Sequence, residues 1–398
     1  MIQISPETQA FVLEHQTDDV RTLALQAKKY PGIDMPTAIT QIAGRQIAAT
    51  KVPSWSNAEG IWYPKHLSME QCSSETTARY KAKLLNGSSL TDLTGGFGID
   101  CAFLATGFQR VTYVERQEEL CEIAAHNFPL LGLSHISICH EDGVDYLQKM
   151  SQTDCIFLDP ARRDEHGGKI VAIADCEPDV ARLETLLLAK AKRVMIKLSP
   201  MLDLSLALQE LPHTMEAHII SVDNECKELL LILGNNPPAH IPIHCINLSS
   251  KRQEPQLFTF TREQESLCEC TYADSIGQFL YEPNASLLKG GAYKSLAQAY
   301  SLAKLHPNSH LYTSDTLQSN FPGRIFRVNK QYGFGKKEMK EMTAEVKKAN
   351  ITVRNFPSST NELRKRLKLQ EGGNVYLFAT TLYNNTRILI HCSKISLS

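Results

Sequence analysis

The sequence predicts an α/β fold: a mostly parallel sheet covered on both faces, with a helical region before it and small α+β segments after it. Three observations carry this. Residues 88–234 alternate short apolar runs with amphipathic stretches, the pattern of successive βαβ units. The first run, 90–93, feeds Thr94-Gly95-Gly96-Phe97-Gly98, and a helical pattern begins at once with Ile99, Ala102, Phe103 and Ala105. The last two runs, 217–222 and 228–233, are separated by five residues, too few for a crossover helix, so they form an antiparallel hairpin.

In chain order, residues 1–87 read as helical, with Phe11, Val12, Leu13, Leu23 and Leu25 at helix-like intervals and breaks at Pro53, Trp55 and Gly60. Ser68 and Gln71 have capping-box spacing and predict one helix through Glu75, Tyr80 and Leu84 to Asn86-Gly87. This region is expected to cap the next domain, with Ser73, Ser74, Glu75 and Thr77 as candidates to cover a ligand. Residues 88–235 give strands at 90–93, 110–114, 136–139, 154–158 and 193–197, then the hairpin. Helices fall at 117–131, 142–150 and 178–190, the last with Pro178 in its first turn. Residues 236–280 open on prolines 237, 238 and 242 as a linker, and a hairpin follows from 257–261 and 267–272. Beyond them a helix is expected at 293–305 and a strand at 310–313. Then come a strand at 325–328, helices at 336–349 and 361–369 around a strand at 351–355, and a strand pair from 375.

The 398 residues suffice for two or three domains, and 42% hydrophobic with 21% charged residues is a globular composition. A formal net charge of −1 hides an asymmetry: residues 321–370 hold 13 Arg or Lys against 4 Glu, so this segment carries +9 and the rest about −10. A basic module on an acidic body is the composition of a polyanion binder. Eleven dispersed cysteines without a Cys-x-x-Cys pair argue against a zinc site and a disulfide frame, and for a reducing compartment. The first residues lack the charged and apolar regions of a signal peptide, and no apolar run has membrane-spanning length. A cytoplasmic protein without metal or membrane partner is expected.

The chemistry-bearing residues fall at the ends of the apolar runs. A glycine turn at a helix N-terminus presents backbone N–H groups to a ligand. Asp92, Thr94, Gly95, Gly96 and Gly98 form such a turn, but the third glycine of a dinucleotide fingerprint is missing, since Ile99, Asp100 and Cys101 follow. The acidic Asp92 suits a cationic or amino-acid-bearing ligand better than a pyrophosphate. Glu115, ending the second run, can accept both hydroxyls of a ribose, as in nicotinamide enzymes too. Asp142, after the third run, can take an adenine N–H, cap the next helix, or do both. Asp159-Pro160-Ala161-Arg162-Arg163 follows the fourth run. Its two arginines either meet an anionic partner or pair with Asp164 and Glu165. Lys197 precedes Ser199-Pro200, a sufficient helix start, and can reach a pocket mouth. Residues 224–228 read as a solvated turn. In 363–369, Leu363, Leu367 and Leu369 are expected to pack inward while Arg364, Lys365, Arg366 and Lys368 face phosphate.

Six strings occur in order: Ser-Ser-Glu-x-Thr-Ala-x-Tyr-Lys (73–81), Asp-Leu-Thr-Gly-Gly-Phe-Gly-x-Asp (92–100), Leu-Asp-Pro-Ala-Arg-Arg (158–163), Lys-x-Ser-Pro-Met (197–201), Asn-Glu-Cys-Lys-Glu (224–228) and Tyr-Glu-Pro-Asn-Ala (281–285). With them the chain resembles a Bacteroidetes family of class I methyltransferases. The resemblance implies a Rossmann-like seven-stranded methyltransferase sheet over 88–235, a ferredoxin-like domain near 281–323 and a THUMP-like domain near 324–397. It implies S-adenosylmethionine held by Asp92, Thr94, Gly95, Gly96, Gly98, Glu115 and Asp142. Methyltransferases acting on amines carry Asp/Asn-Pro-Pro-aromatic after the fourth strand, where the acid and a proline carbonyl orient the amine. Asp159 and Pro160 match, Ala161 replaces the second proline, and Arg162 stands where the aromatic would be.

The expected function is therefore methylation of RNA, tRNA above all. Asp159, Pro160 and Arg162 would act at the reaction centre, and Arg163, Lys197, Arg364, Lys365, Arg366 and Lys368 would hold the polyanion. The alternatives are a protein or small-molecule methyltransferase, a non-catalytic RNA-binding adaptor that retains the fold, and, least, a nicotinamide oxidoreductase.

Overall fold

The computed structural model describes residues 4–162, 173–250 and 254–396. The chain forms two compact units, one of residues 1–217 and 228–238, the other of 218–227 and 239–398.

The first unit opens with α1 (Pro6–Glu14), α2 (Val20–Leu25) and α3 (Met35–Lys51), capped by Ser5, Asp19 and Asp34. Their apolar faces bury Phe11, Leu23, Met35, Ala38 and Ile42 together. After the single turn α4 (Pro53–Ser56), two helices stand where the sequence predicted one: α5 (His66–Gln71) and α6 (Glu75–Ala82). Cys72 and Ser74 are extended, and the Ser74 hydroxyl accepts the Thr77 N–H at 3.2 Å. The N-cap is thus Ser74, which satisfies an orphan donor that Ser68 in the first turn of α5 cannot reach.

The alternating pattern then folds as predicted: β1 (Ser89–Asp92), α7 (Ile99–Ala105), β2 (Arg110–Glu115), α8 (Glu118–Leu130), β3 (Ile136–His140), α9 (Gly143–Lys149) and β4 (Thr153–Leu158). Two short strands, β5 (Ala161–Arg162) and β6 (Cys176–Glu177), pair with each other, followed by α10 (Val180–Lys190), β7 (Ala191–Leu198), α11 (Leu204–Glu210), β8 (Thr214–Val222) and β9 (Glu225–Gly234). Pro178 precedes the Asp179 N-cap of α10 rather than lying in its first turn. Seven strands lie side by side in the order β3-β2-β1-β4-β7-β9-β8, within a nine-stranded sheet. The first five strands run parallel and β9 returns antiparallel to β7. These seven strands have the order of a methyltransferase sheet. Asp223 and Asn224 turn the hairpin, both at positive φ, 48° and 69°, as a two-residue turn between twisted strands requires. Apart from the edge strand β3, the parallel strands are largely buried, and the carboxyl ends of β1, β2, β4 and β7 present polar residues.

In the second unit, β10 (Ile243–Leu248) pairs antiparallel with β11 (Gln256–Phe260). The hairpin expected from 257–261 and 267–272 therefore takes its partner strand from upstream. Thr261 and Gln264 form a capping box that starts α12 (Arg262–Leu267), so the chain beyond 261 coils. The remaining elements are β12 (Phe279–Pro283), α13 (Ala285–Gly290), α14 (Lys294–Ala299), β13 (Ala303–Lys304), β14 (Tyr312–Ser314), β15 (Gly323–Gly333), α15 (Lys336–Glu345), β16 (Asn350–Arg354), α16 (Thr360–Leu367), β17 (Val375–Thr381) and β18 (Arg387–Lys394). They form one sheet ordered β13-β14-β12-β15-β18-β17-β16. Met339, Met342, Leu363 and Leu367 pack α15 and α16 on Tyr332, Leu377 and Leu389. Leu280, Phe326, Phe378 and Ile390 make a second core. Among the described residues no helix is long and apolar enough to cross a membrane.

Candidate active site

The glycine turn after β1 is built by close approach. A Cβ on Gly95 would lie 2.3 Å from the Tyr113 ring, and Gly96 and Gly98 take φ of +55° and +87°. Only glycine fits both demands without strain. The Tyr113 hydroxyl donates to the Gly96 carbonyl at 2.5 Å. Glu115 accepts the Gly96 N–H on Oε2 and the Gln117 N–H on Oε1, each at 2.8 Å, so its carboxylate holds the turn against the end of β2. Asp142 caps α9 through the N–H groups of Val144 and Asp145, at 2.8 and 3.3 Å. A Cβ on Gly143 would strike the Leu93 carbonyl at 2.2 Å, so the loops after β1 and β3 touch.

Asp92 is 1% exposed. Its Oδ1 accepts the Thr94 N–H at 3.0 Å, while its Oδ2 is buried without a partner. Burial pushes this carboxyl well above the ordinary range; the Thr94 N–H opposes the shift, and Asp100, Asp159 and Glu115 add to it. The Thr94 hydroxyl is spent on the Asp159 N–H, so it links two loops.

Asp159 and Pro160 follow β4, with Pro160 buried and Asp159 half-buried. Lys197, at the end of β7, donates to Asp159 Oδ2 at 2.5 Å and lies 3.7 Å from Asp100 Oδ2. Asp100 Oδ1 pairs with Lys81 Nζ at 2.9 Å, and Lys81, fully buried on α6, also meets Glu228 Oε2 at 2.7 Å. The Ser73 hydroxyl accepts from Lys81 at 2.8 Å and donates to Asp100 Oδ2 at 2.7 Å. Burial acts to raise Asp100, but Lys81 and Lys197 outweigh it and hold the carboxyl below its ordinary value. Burial raises Asp159 against the pull of Lys197. For Lys197, burial would favour the neutral form, yet Asp159, Asp100 and Glu228 win and hold its ammonium charged well above the usual lysine value.

The structure thus gathers Asp92, the glycine turn, Glu115, Asp142 and Asp159 on one sheet edge. Lys197, expected to point toward a substrate, has its ammonium engaged by two carboxylates instead. Glu228, read as part of a solvated turn, is 4% exposed. Lys81, Asp100 and Glu228 carried no role in the sequence reading, although each stands inside one of its motif strings. The signal was their charge: a Lys, an Asp and a Glu embedded in apolar or glycine-rich runs. The backbone of Arg162 pairs with Cys176, and Arg163 lies outside the described residues.

The basic segment is less free than its composition suggests. Glu282, 2% exposed, accepts Arg324 through Nε at 2.8 Å and through Nη2, and takes Arg354 Nη2 at 3.0 Å. Lys330 pairs with Glu341 and Glu345. Leu363, Leu367 and Leu369 are buried as expected, but Arg364 is half-buried and pairs with Glu371 at 3.4 Å. On α16 the side chain three residues before an inward Leu367 turns partly inward with it. Lys336, Lys337, Lys340, Lys347, Lys348, Lys365, Arg366 and Lys368 are exposed, Arg366 with its guanidinium 4.5 Å above the Phe334 ring.

Comparison with known proteins agrees with this architecture. A ferredoxin-like domain profile matches residues 279–322 and a THUMP domain-like profile matches 323–394. No curated protein matches the chain. Among solved structures, a methyltransferase candidate from Porphyromonas gingivalis W83 superposes with a TM-score of 0.88 at 36% identity, covering 100% of both chains. An rRNA methylase from Streptococcus thermophilus gives 0.30 at 16% identity, over 40% of this chain and 94% of that one. TrmK of M. capricolum, in complex with S-adenosyl-homocysteine, gives 0.32 at 13% identity, over 45% and 71%. The full-length match and the two C-terminal profiles together show that the chain belongs to the Bacteroidetes-type class I methyltransferase family with ferredoxin-like and THUMP-like domains.

Proposed function

We propose that the chain is an S-adenosylmethionine-dependent methyltransferase acting on RNA, tRNA foremost. The observation that carries the cofactor is Asp92 Oδ2, a buried carboxylate oxygen left without a donor beside a glycine turn. A buried acceptor of this kind is costly unless a ligand supplies the donor. An α-ammonium group does so, whereas a pyrophosphate would meet Asp92 and Glu115 as like charges. The residues present therefore fit S-adenosylmethionine.

When bound, the cofactor supplies an electrophilic methyl group on a cationic sulfur. The chain does the rest by placement. Asp92 receives the ammonium, and Gly95, Gly96 and Gly98 let the ligand approach the backbone. Glu115 keeps free lone pairs for ribose hydroxyls while it holds Gly96, and Asp142 keeps its second oxygen for an adenine N–H while it caps α9. Asp159 and the Pro160 carbonyl orient the attacking group. Holding the two reactants in line is most of what methyl transfer requires. Arg162 and Arg163 supply cationic forks for a phosphate or base, and Lys365, Arg366 and Lys368, with Arg364 behind them, form the RNA-facing surface.

Two measurements test this reading. Calorimetric titration should find S-adenosylmethionine binding; tight NADH binding in its place overturns the cofactor. Mass spectrometry of nucleosides from total RNA, with and without the gene, should lose one methylated species; identical profiles overturn RNA as the acceptor.

A further inference from the structure

Two carboxylates flank the Lys197 ammonium, yet they do not exhaust it. An ammonium carries three donor protons. One goes to Asp159 Oδ2 at 2.5 Å, while Asp100 Oδ2 at 3.7 Å lies beyond hydrogen-bond length. Among the described residues no other acceptor takes a hydrogen bond from it, and only 11% of the side chain is exposed. Buried donors left over in this way are costly unless a ligand supplies the acceptor. Asp159, 36% exposed, is the open member of the pair, and the Thr94 hydroxyl ties its backbone to the glycine turn at 2.6 Å. A second observation concerns rings. A base methylated on nitrogen is drawn out of its stack and gripped by its faces between aromatic or apolar side chains. No Phe, Tyr or Trp occurs between Phe157 and Phe258, the stretch that supplies the loops after β4 and β7 and the β8–β9 hairpin. Earlier in the chain, Trp55 and Tyr63 pack on Phe97 and are buried with it.

We propose that the methylated atom is an oxygen, the 2′-hydroxyl of a ribose within an RNA chain, and that Lys197 is a catalytic residue that donates to it. The inference rests on the reading of the chain as an RNA methyltransferase with Asp159 at the acceptor. Charge decides between acceptor classes. A nitrogen acceptor gains positive charge as its lone pair forms the new bond, and an ammonium beside it opposes that. A hydroxyl losing its proton gains negative character, which the ammonium stabilises. Inside an RNA chain the 2′-hydroxyl is the one hydroxyl each nucleotide keeps, and it is what sets RNA apart from DNA. In the step, a lone pair of the 2′-oxygen forms the bond to the methyl carbon. The sulfur–methyl bond breaks, and its electron pair stays on sulfur as a neutral thioether. The hydroxyl proton passes to Asp159 Oδ1 and from there to solvent, and Lys197 keeps its charge throughout. Burial raises Asp159 above an ordinary carboxyl, which makes it the better base. Against burial, Asp159, Asp100 and Glu228 hold Lys197 charged.

The test combines the full chain, S-adenosylmethionine tritiated in its methyl group, and total RNA from cells lacking the gene. A 2′-O-methyl group protects the adjoining phosphodiester from alkali, because the oxygen that would attack it is blocked. After alkaline hydrolysis the label should therefore run in dinucleotides. Label in mononucleotides marks a methylated base and overturns the proposal. Lys197→Met should slow transfer by about a hundredfold or more, the loss that follows removal of one transition-state donor, while S-adenosylmethionine still binds in calorimetry. A folded Lys197→Met chain that transfers at the wild-type rate overturns the role of Lys197. Thermal melts show whether that variant folds; if it does not, the alkali result on the wild-type chain decides alone. RNA that takes up no label at all overturns the RNA reading on which the proposal stands, which is a different result.

Discussion

The Thr94 hydroxyl accepts a hydrogen bond from the backbone N–H of Asp159 at 2.6 Å, which ties the glycine turn after β1 to the Asp-Pro loop after β4. Thr94→Val keeps the shape and deletes the acceptor, leaving an N–H in a partly closed site without its partner. The expected cost is about 1–3 kcal/mol. Weaker cofactor binding and slower transfer should appear together, because one bond positions both loops. A variant that loses only one of the two separates the loops and contradicts the coupling.

Asp92 should show a conflict between stability and binding. Its carboxyl is raised by burial, so the folded chain holds that proton more tightly than the unfolded one. The resulting stability is full below the ordinary Asp value and is lost as pH rises through the raised one. Asp92→Asn should therefore melt higher than wild type, with the gain larger at pH 8 than at pH 5, while S-adenosylmethionine binding drops out of calorimetric range.

Lys81 should be among the costliest positions in the first unit. Lys81→Met strands Asp100 and Glu228 as buried charges, with an expected loss of about 3–5 kcal/mol in denaturant unfolding. Combining it with Asp100→Asn and Glu228→Gln removes the stranded charges and should recover much of that loss. Equal instability of the single and triple variants would show that packing, not charge, is at stake.

RNA binding should respond to the exposed lysines and not to composition alone. Lys365→Ala with Lys368→Ala should weaken binding across RNA sequences and lower the salt slope of log K by roughly one per phosphate contact removed. Gel shifts over a salt series measure it. Glu282→Gln, which removes no basic residue, should instead destabilise the second unit by leaving Arg324 and Arg354 without their buried partner.

His310 gives the second unit a pH signature. Burial pushes its imidazole down to about 4, with Lys304 and Arg354 adding to the shift. The unfolded chain binds the proton near 6.5. Stability is full above about 6.5 and declines as pH falls toward 4, where the unfolded state alone gains the proton. His310 sits at φ 53°, which Asn tolerates, so His310→Asn should flatten the melting profile between those values.

The sheet was legible because its signals are local and repeated: apolar runs, a glycine turn and a five-residue gap that admits no helix. The edge residues were legible for the same reason, since Asp92, Glu115, Asp142 and Asp159 each end a run or open a helix. Lys81, Asp100, Lys197 and Glu228 were not, because a pairing between residues up to 147 apart has no local period. The break at Cys72–Ser74 was hidden by two serines competing for one cap, which only tertiary contacts decide. The basic segment misled in part: Arg324 and Arg354 count toward net charge in sequence, yet Glu282 neutralises them from a strand some forty residues upstream of one and seventy of the other.

That last contact bears on how such chains can be cut and recombined. The ferredoxin-like profile ends at 322 and the THUMP-like profile begins at 323, but the seam runs between paired strands, β12 and β15, of a single sheet. Glu282 on one side grips two guanidinium groups on the other. A fragment starting at 323 would expose a sheet edge and release Arg324 and Arg354 together. Inheritance, fusion and domain exchange should therefore treat 279–394 as one indivisible piece, whatever names its two halves carry.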